Sequence, residues 1–339
     1  MATLSAGQLT LADMTKRLSP DGKVDPVAEL LSQQNDIEED IVYVEANQPT
    51  SHVVNVRTGL PAVYWRAYNQ GVPSSKSTTA QVTEPCAMLE ARSHIDAKLL
   101  RLNGNSASFR LSEESAFLES MSQEFTSKIF SGNVGADPKT FSGLATRYSS
   151  TTAGNGQNVI TAGGAGSDNA SVYLVGWSPE TVYCTYPKGS MAGLQSQDLG
   201  EESVQDADGN WYQAARTLFQ RDAGLVVKDW RYVVRIANID VSDWVDVTSS
   251  QSSSAATNVM RLMMQALARV PNFMNKRFAF YANRSIEEGL RIQALEKSNQ
   301  VLRVEDALNQ FGGPMKELKF QGIPVRRVDQ LGIAETLVS

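Results

Sequence analysis

From Ser112 to Phe130, apolar side chains recur every fourth residue, at Phe117, Met121, Phe125 and Ile129, and Leu118 and Phe130 widen the stripe. That spacing lines one face of a helix and commits the chain to a long amphipathic rod. Ser112 is placed to cap its first turn, Glu113 and Glu114 suit its positive end, and Gly132-Asn133 stops it. No catalytic pattern sits on the rod, so it reads as a structural spine.

What precedes the rod has another character. Thr10 and Asp13 open a short helix with Leu11, Met14 and Leu18 on one side, and Asp25-Pro26 opens a second that runs to the acidic run Glu38-Glu39-Asp40. Two short helices without a core of their own predict an arm that packs on something else. The period then becomes two. His52 to Thr58 alternates, as does Ala62 to Arg66 after the Gly59-Leu60-Pro61 turn, and Thr78 to Met88 returns the chain past a polar tip, with Ala91 to Asp96 as an extension. A two-stranded ribbon is marginal alone in water, so a projecting one needs support from a neighbouring molecule. The alternative is a hairpin laid flat on its own domain.

After the rod, residues 149–170 are rich in Gly, Ser, Thr and Asn and predict a surface loop. The stretch lacks the Gly-Lys-Ser/Thr ending of a phosphate-binding loop. Strands follow at Val172–Trp177 and Thr181–Tyr186, and a further pair surrounds Asp208-Gly209-Asn210. The segment Gln205–Gly209 lacks the ligand spacing of a calcium loop, and Asp-Gly between extended segments is a hairpin turn. Trp211–Gln220 and Leu225–Ala237 continue as strands. Ser252–Ser254 then lead into a helix with Val259, Met263, Ala266, Leu267 and Val270 on one face, ended by Pro271. Phe278–Tyr281 is a buried-strand candidate. Ser285 with Glu288 suggests a capping box for a helix carrying Leu290, Ala294 and Leu295, and Phe320 to Asp329 reads as strand, turn and strand. Helices interleaved with antiparallel hairpins, without regular βαβ alternation, give an α+β class.

Composition narrows the function. The 339 residues can bury a large core, and a net charge of −6 argues against a dedicated nucleic-acid grip. No signal peptide is evident at Met1, and no apolar run reaches the roughly 18 residues of a membrane span. Cys86 and Cys184 are too few for a disulfide framework and read as small buried hydrophobes. His52 has no ligand-type neighbour. His94 has only Glu90 and Asp96, which could at most orient it, so no metal or cofactor site is expected. There is no Gly-x-Ser-x-Gly elbow. The carboxylate pairs at 38–40, 113–114, 201–202 and 287–288 lie at helix ends or in polar loops, where solvated charge is ordinary. Catalysis is the weaker hypothesis. Its form would be a sugar- or nucleotide-acting enzyme with residues 149–170 as a lid.

One run gives the order a shape: Phe130-x-Gly132-Asn133, Asp137-Pro138, then Phe141-x-Gly143-Leu144, with Gly322-Ile323-Pro324-Val325 near the end. With the arm, hairpin, spine helix and strand-rich lobe, this resembles the major capsid proteins of tailed bacteriophages, the Hong Kong 97-type fold, and especially podovirus-type shell proteins. The resemblance implies a helical arm at 1–49, an extended loop at 50–91, and a peripheral domain at 92–170 whose spine is 112–130. It further implies axial strands at 171–250 and closing peripheral and axial elements at 251–339. Strand order stays open, including a permuted one. The implied function is self-assembly into hexamers and pentamers of an icosahedral shell around double-stranded DNA, held without sequence specificity and with no membrane involved. The absence of a long N-terminal extension implies a separate scaffolding protein. A portal and a cement protein are further implied partners, and the implied location is the virion, assembled in the host bacterial cytoplasm. Trp65, Arg66 and Tyr68 are the candidate subunit contacts, since aromatics and Arg favour interfaces, and Lys76 joins them for its place at the tip. A phage tail or tube protein is the self-assembling alternative.

Overall fold

The computed structural model describes residues 31–101, 106–206, 208–242, 244, 259–294, 302–308 and 314–339. The expected arm helices, the Ser252–Ser254 lead-in and Leu295 lie outside these, apart from the end of the arm. In chain order the first strands are β1 (Tyr43–Glu45), β2 (Ser51–Gly59), β3 (Thr78–Pro85) and β4 (Ala87–Asp96). Helices α1 (Ala97–Arg101), α2 (Ser106–Ser131) and α3 (Leu144–Arg147) follow. Next come β5 (Val159–Thr161), β6 (Asn169–Trp177), β7 (Val182–Tyr186), β8 (Gln195–Gln205), β9 (Trp211–Val227) and β10 (Val233–Asp240). The chain closes with α4 (Val259–Arg269), β11 (Arg277–Ala282), α5 (Arg284–Ala294), β12 (Leu302–Leu308), β13 (Pro314–Phe320) and β14 (Ile323–Arg327).

A mixed sheet organises the body. Strand β6 lies between antiparallel neighbours β10 and β11, and β11 pairs in parallel with β14. All nine residues of β6 are buried, because both faces of the sheet are covered. Val172 and Leu174 face one cluster with α4 and α5. Tyr173, Val175 and Trp177 face the other, which holds Phe125, Ile129 and Phe130 of α2. The predicted face of α4 supplies the first cluster with Val259, Met263 and Ala266, all fully buried. Burying a side chain of the Val or Met size contributes roughly 1.5–3 kcal/mol.

The spine helix begins six residues before the expected start at Ser112, which is interior to it. Phe109 is the reason. It is 1% exposed among Ile95, Leu99, Leu100 and Ala215, so packing extends the same four-residue period backward. Ser112 caps nothing, and its Oγ is buried without a partner. Leu118, expected on the stripe, is exposed.

Other differences have equally local causes. Ala62 to Arg66 is not a strand, for it has no pairing partner. The return strand stops at Pro85, and Ala87–Asp96 pairs instead with β9, from Ala87 opposite Ala223 to Asp96 opposite Ala214. Leu225–Ala237 is split by a 3-10 turn at Trp230–Tyr232, where the Asp229 carboxylate accepts from the Arg231 amide. The cap of α5 is Asn283, whose Oδ1 accepts from the Ser285 amide at 3.0 Å, so Ser285 is already helical. The 149–170 segment is not merely a surface loop. The buried Asn158 Nδ2 donates to the Trp230 and Val233 carbonyls at 3.1 and 2.8 Å, and β5 then pairs with β10. The hairpin turn at Asp208-Gly209 is present, with the Asp206 carboxylate accepting from the Asp208 and Asn210 amides.

Candidate assembly interface

Strands β2 and β3 form a sheet of two strands, separate from the body's sheet. His52, Val54 and Val56 lie on one side of β2 and carry its contacts with the body. Val54 packs with Tyr183 and Val226, and His52 Nε2 lies 3.0 Å from the Tyr183 hydroxyl. Partial burial, helped by the Lys228 charge, holds the His52 imidazole below its ordinary pKa. Below it, Asn47 brackets the strand, donating to the Val53 carbonyl and accepting from the Val53 amide at 2.8 and 2.9 Å.

Glu84 provides the polar anchor. Arg147 Nη1 and Nη2 donate to its two carboxylate oxygens, each at 2.6 Å, and Glu84 is 6% exposed. This pair was not readable in advance, as its members are far apart in sequence and Arg147 follows a loop.

Past the ribbon, residues 60–77 carry no regular structure, and among the described residues their hydrogen bonds are internal, such as Ser75 Oγ to the Ala62 carbonyl. All four expected contact residues are here. Trp65 and Tyr68 are fully exposed, and Arg66 and Lys76 are exposed with them. The structure adds Leu60, Val63 and Tyr64 to the exposed apolar set. The hairpin therefore does not lie flat on its own domain. Among the described residues this is an apolar patch on a projecting tip, the signature of a surface meant to be covered. Residues 51–83 also hold Arg57, Arg66 and Lys76 and no carboxylate, so a basic loop projects from an acidic protein.

Among the described residues no cluster of three His, Cys, Asp or Glu could hold a metal. His94 has the Arg216 and Arg92 guanidinium groups as its charged neighbours, which with burial hold its pKa down. The carboxylates at 38–40, expected to be solvated, are structural. Glu38 pairs with Arg221 at 3.1 Å, and the buried Asp40 accepts from the Tyr281 hydroxyl at 3.0 Å and from Arg326 at 3.3 Å. No helix of the described residues is long and apolar enough to cross a membrane.

The residues of the Phe-x-Gly-Asn and Phe-x-Gly-Leu run meet where α2 ends. Phe130 lies against Tyr173 with ring centroids 5.1 Å apart, Phe141 lies against Phe125, and Leu144 is fully buried. Asn133 Oδ1 accepts from the Gly135 amide and the Asp137 carboxylate from that of Lys139, folding the loop between them.

Residues 19–339 match the family described as major capsid protein GP7. No curated protein matches the sequence. Among solved structures, a chain of bacteriophage epsilon15 is 29% identical, with a TM-score of 0.73, the similarity covering 100% of this chain and 99% of that one. A chain of the bacteriophage JBD30 capsid is 9% identical with a TM-score of 0.51, covering 96% and 99%, a likeness of fold.

Proposed function

This chain belongs to the major capsid protein GP7 family, and from that premise we propose that residues 50–91 are the loop by which each copy grips the next in the shell. The protein is a major capsid protein of a tailed phage and part of the virion, with an α+β Hong Kong 97-like fold. Copies of it assemble into a multimeric shell. The family is structural rather than enzymatic, and neither the lidded enzyme nor the tail-tube alternative has support.

The observation that carries the loop reading is the bare tip at Trp65 and Tyr68, which its own subunit leaves uncovered. Trp65, Arg66 and Tyr68 supply the apolar and stacking contacts, and Lys76 adds charge at an otherwise acidic neighbour. Closure into hexamers and pentamers multiplies modest contacts by effective concentration. Helix α2 serves as the spine of the peripheral domain. We group β8 and the first part of β9 with it, since Arg110 of α2 binds Asp198 at 2.7 Å and Phe117 stacks on Phe219. The central strands within 171–250 belong to the axial side. An acidic subunit suits a container for packed DNA held without base contacts. A separate scaffolding protein, a portal and a cement protein complete the assembly, which takes place in the bacterial cytoplasm.

Deleting Ala62–Lys76, which removes Trp65, Arg66 and Tyr68 together with Lys76, tests the reading. The subunit is expected to fold with an unchanged circular dichroism spectrum and to form no shells; normal particles in electron micrographs refute the loop assignment.

A further inference from the structure

We infer that Arg147 is a positioning residue, fixing the angle at which the loop leaves the body and tying that angle to the end of the spine helix. The inference rests on reading residues 50–91 as the loop that reaches a sister copy. The guanidinium fork is held at four points. Its Nη1 and Nη2 donate to the Glu84 carboxylate, Nη2 also donates to the Leu225 carbonyl at 3.1 Å, and Nε donates to the Ser142 carbonyl at 3.1 Å. A bidentate pair between two planar groups permits essentially one relative orientation.

The other end of the relay is equally fixed. Arg147 closes α3, and α3 is fastened to the last turn of α2 through one acceptor, the Gly132 carbonyl. Thr146 Oγ1 donates to it at 2.6 Å and the Gly143 amide at 2.9 Å. Hydrogen bonds therefore run from the helix end through Gly132, Thr146 and Arg147 to Glu84 on β3. Val54 on Tyr183 and Val226, His52 on the Tyr183 hydroxyl and Asn47 on Val53 hold β2 to the body, and the fork on Glu84 is the charged clasp that orients β3. That orientation matters because the ribbon is a lever. From Glu84 to Thr78, the steps of β3 at about 3.3 Å each give an arm of about 20 Å, so a rotation of about 10° at the base moves its far end by about 3–4 Å. A displacement of that size takes an aromatic side chain out of a packed contact.

The test uses full-length subunits in which Cys86 is replaced by serine and the buried Cys184 is retained, with spin labels on Asn55→Cys and Ser120→Cys. Pulsed electron paramagnetic resonance then reads the ribbon-to-spine distance. Arg147→Lys keeps the charge and loses the fork. It is expected to broaden the distance distribution about twofold and to lower the yield of closed shells by about fivefold or more. The control Arg231→Lys, at an exposed pair, leaves both unchanged. If Arg147→Lys does not fold, the double variant Glu84→Gln with Arg147→Gln, which strands no charge, carries the same measurement. A distribution of parent width, or a broad one with normal shells, overturns the positioning role. If the tip deletion blocks assembly while Arg147→Lys behaves as the parent, only Arg147 loses its part. Normal shells from the tip deletion instead remove the loop reading itself.

Discussion

The Gly143 amide donates to the Gly132 carbonyl at 2.9 Å, and each glycine stands where the other's strand of chain leaves no room for a side chain. A Cβ on Gly143 would lie 2.6 Å from the Phe130 carbonyl oxygen and 2.7 Å from that of Lys128. One on Gly132 would lie 2.3 Å from the Phe141 carbonyl oxygen. The obstacles are backbone atoms that cannot swing aside. Both glycines are thus there for close approach, and neither has a positive φ. Gly143→Ala is expected to destabilise the subunit by about 1–3 kcal/mol, read as a fall in the urea midpoint at unchanged slope.

The tip residues should behave in the opposite way. Trp65→Ala with Tyr68→Ala removes side chains that touch nothing in the subunit, so its stability should stay within about 0.5 kcal/mol of the parent. Assembly should suffer, because buried aromatic anchors at interfaces are commonly worth about 2 kcal/mol or more each. Parent-like shell yield at limiting subunit concentration would count against these residues as anchors.

Arg235 offers a test of a buried charge. Its guanidinium, almost wholly buried, donates to Glu335 at 2.7 Å, to Ser171 Oγ at 3.1 Å and to the Tyr148 carbonyl at 2.9 Å. Glu335 lies on the closing segment, whose Val338 is clasped both ways by the Asn238 amide. Arg235→Met strands the Glu335 carboxylate and should cost about 3–5 kcal/mol. Adding Glu335→Gln should recover part of that loss in the same denaturation measurement.

Alkaline pH should unfold the protein. Burial, with the nearby Cys184 sulfur, pushes Tyr43 from its ordinary value near 10 up to about 12, and burial pushes Cys184 from near 9 to about 12. Tyr148, Tyr173 and Tyr281 are also raised by burial. A raised folded value means the native state keeps the proton that the unfolded chain gives up. The stabilisation is complete below about pH 9 and is lost as pH climbs towards 12, Tyr43 alone accounting for roughly 2–3 kcal/mol. Phenolate absorbance from these tyrosines should therefore appear only together with loss of tertiary structure; titration within an intact fold would contradict it.

Much of this architecture is legible one segment at a time. The four-residue period at Phe117 to Ile129, the α4 face from Val259 to Val270, and the turns at Asp208-Gly209 and Gln321-Gly322 announce themselves, because a local pattern and a local dihedral demand suffice. The polar turn formers from Asn69 to Ser77 are legible for the same reason, whereas the exposure of Val63, Tyr64 and Trp65, read in sequence as a strand, is not. Nor is the base of the loop. Glu84 looks like any carboxylate beside a proline, and only the arrival of Arg147 across the fold makes it an anchor.

Sequence alone thus determined the elements whose stability is decided by residues three or four apart. Tertiary structure decided the rest. It chose Phe109 rather than a capping serine as the foot of the spine, refused Ala62–Arg66 a strand, and turned the half-buried Glu38 and the buried Asp40 into ion-pair members. A strand exists only where another supplies hydrogen bonds, and a buried carboxylate only where a cation offsets its lost hydration, so both depend on partners that proximity in sequence does not reveal.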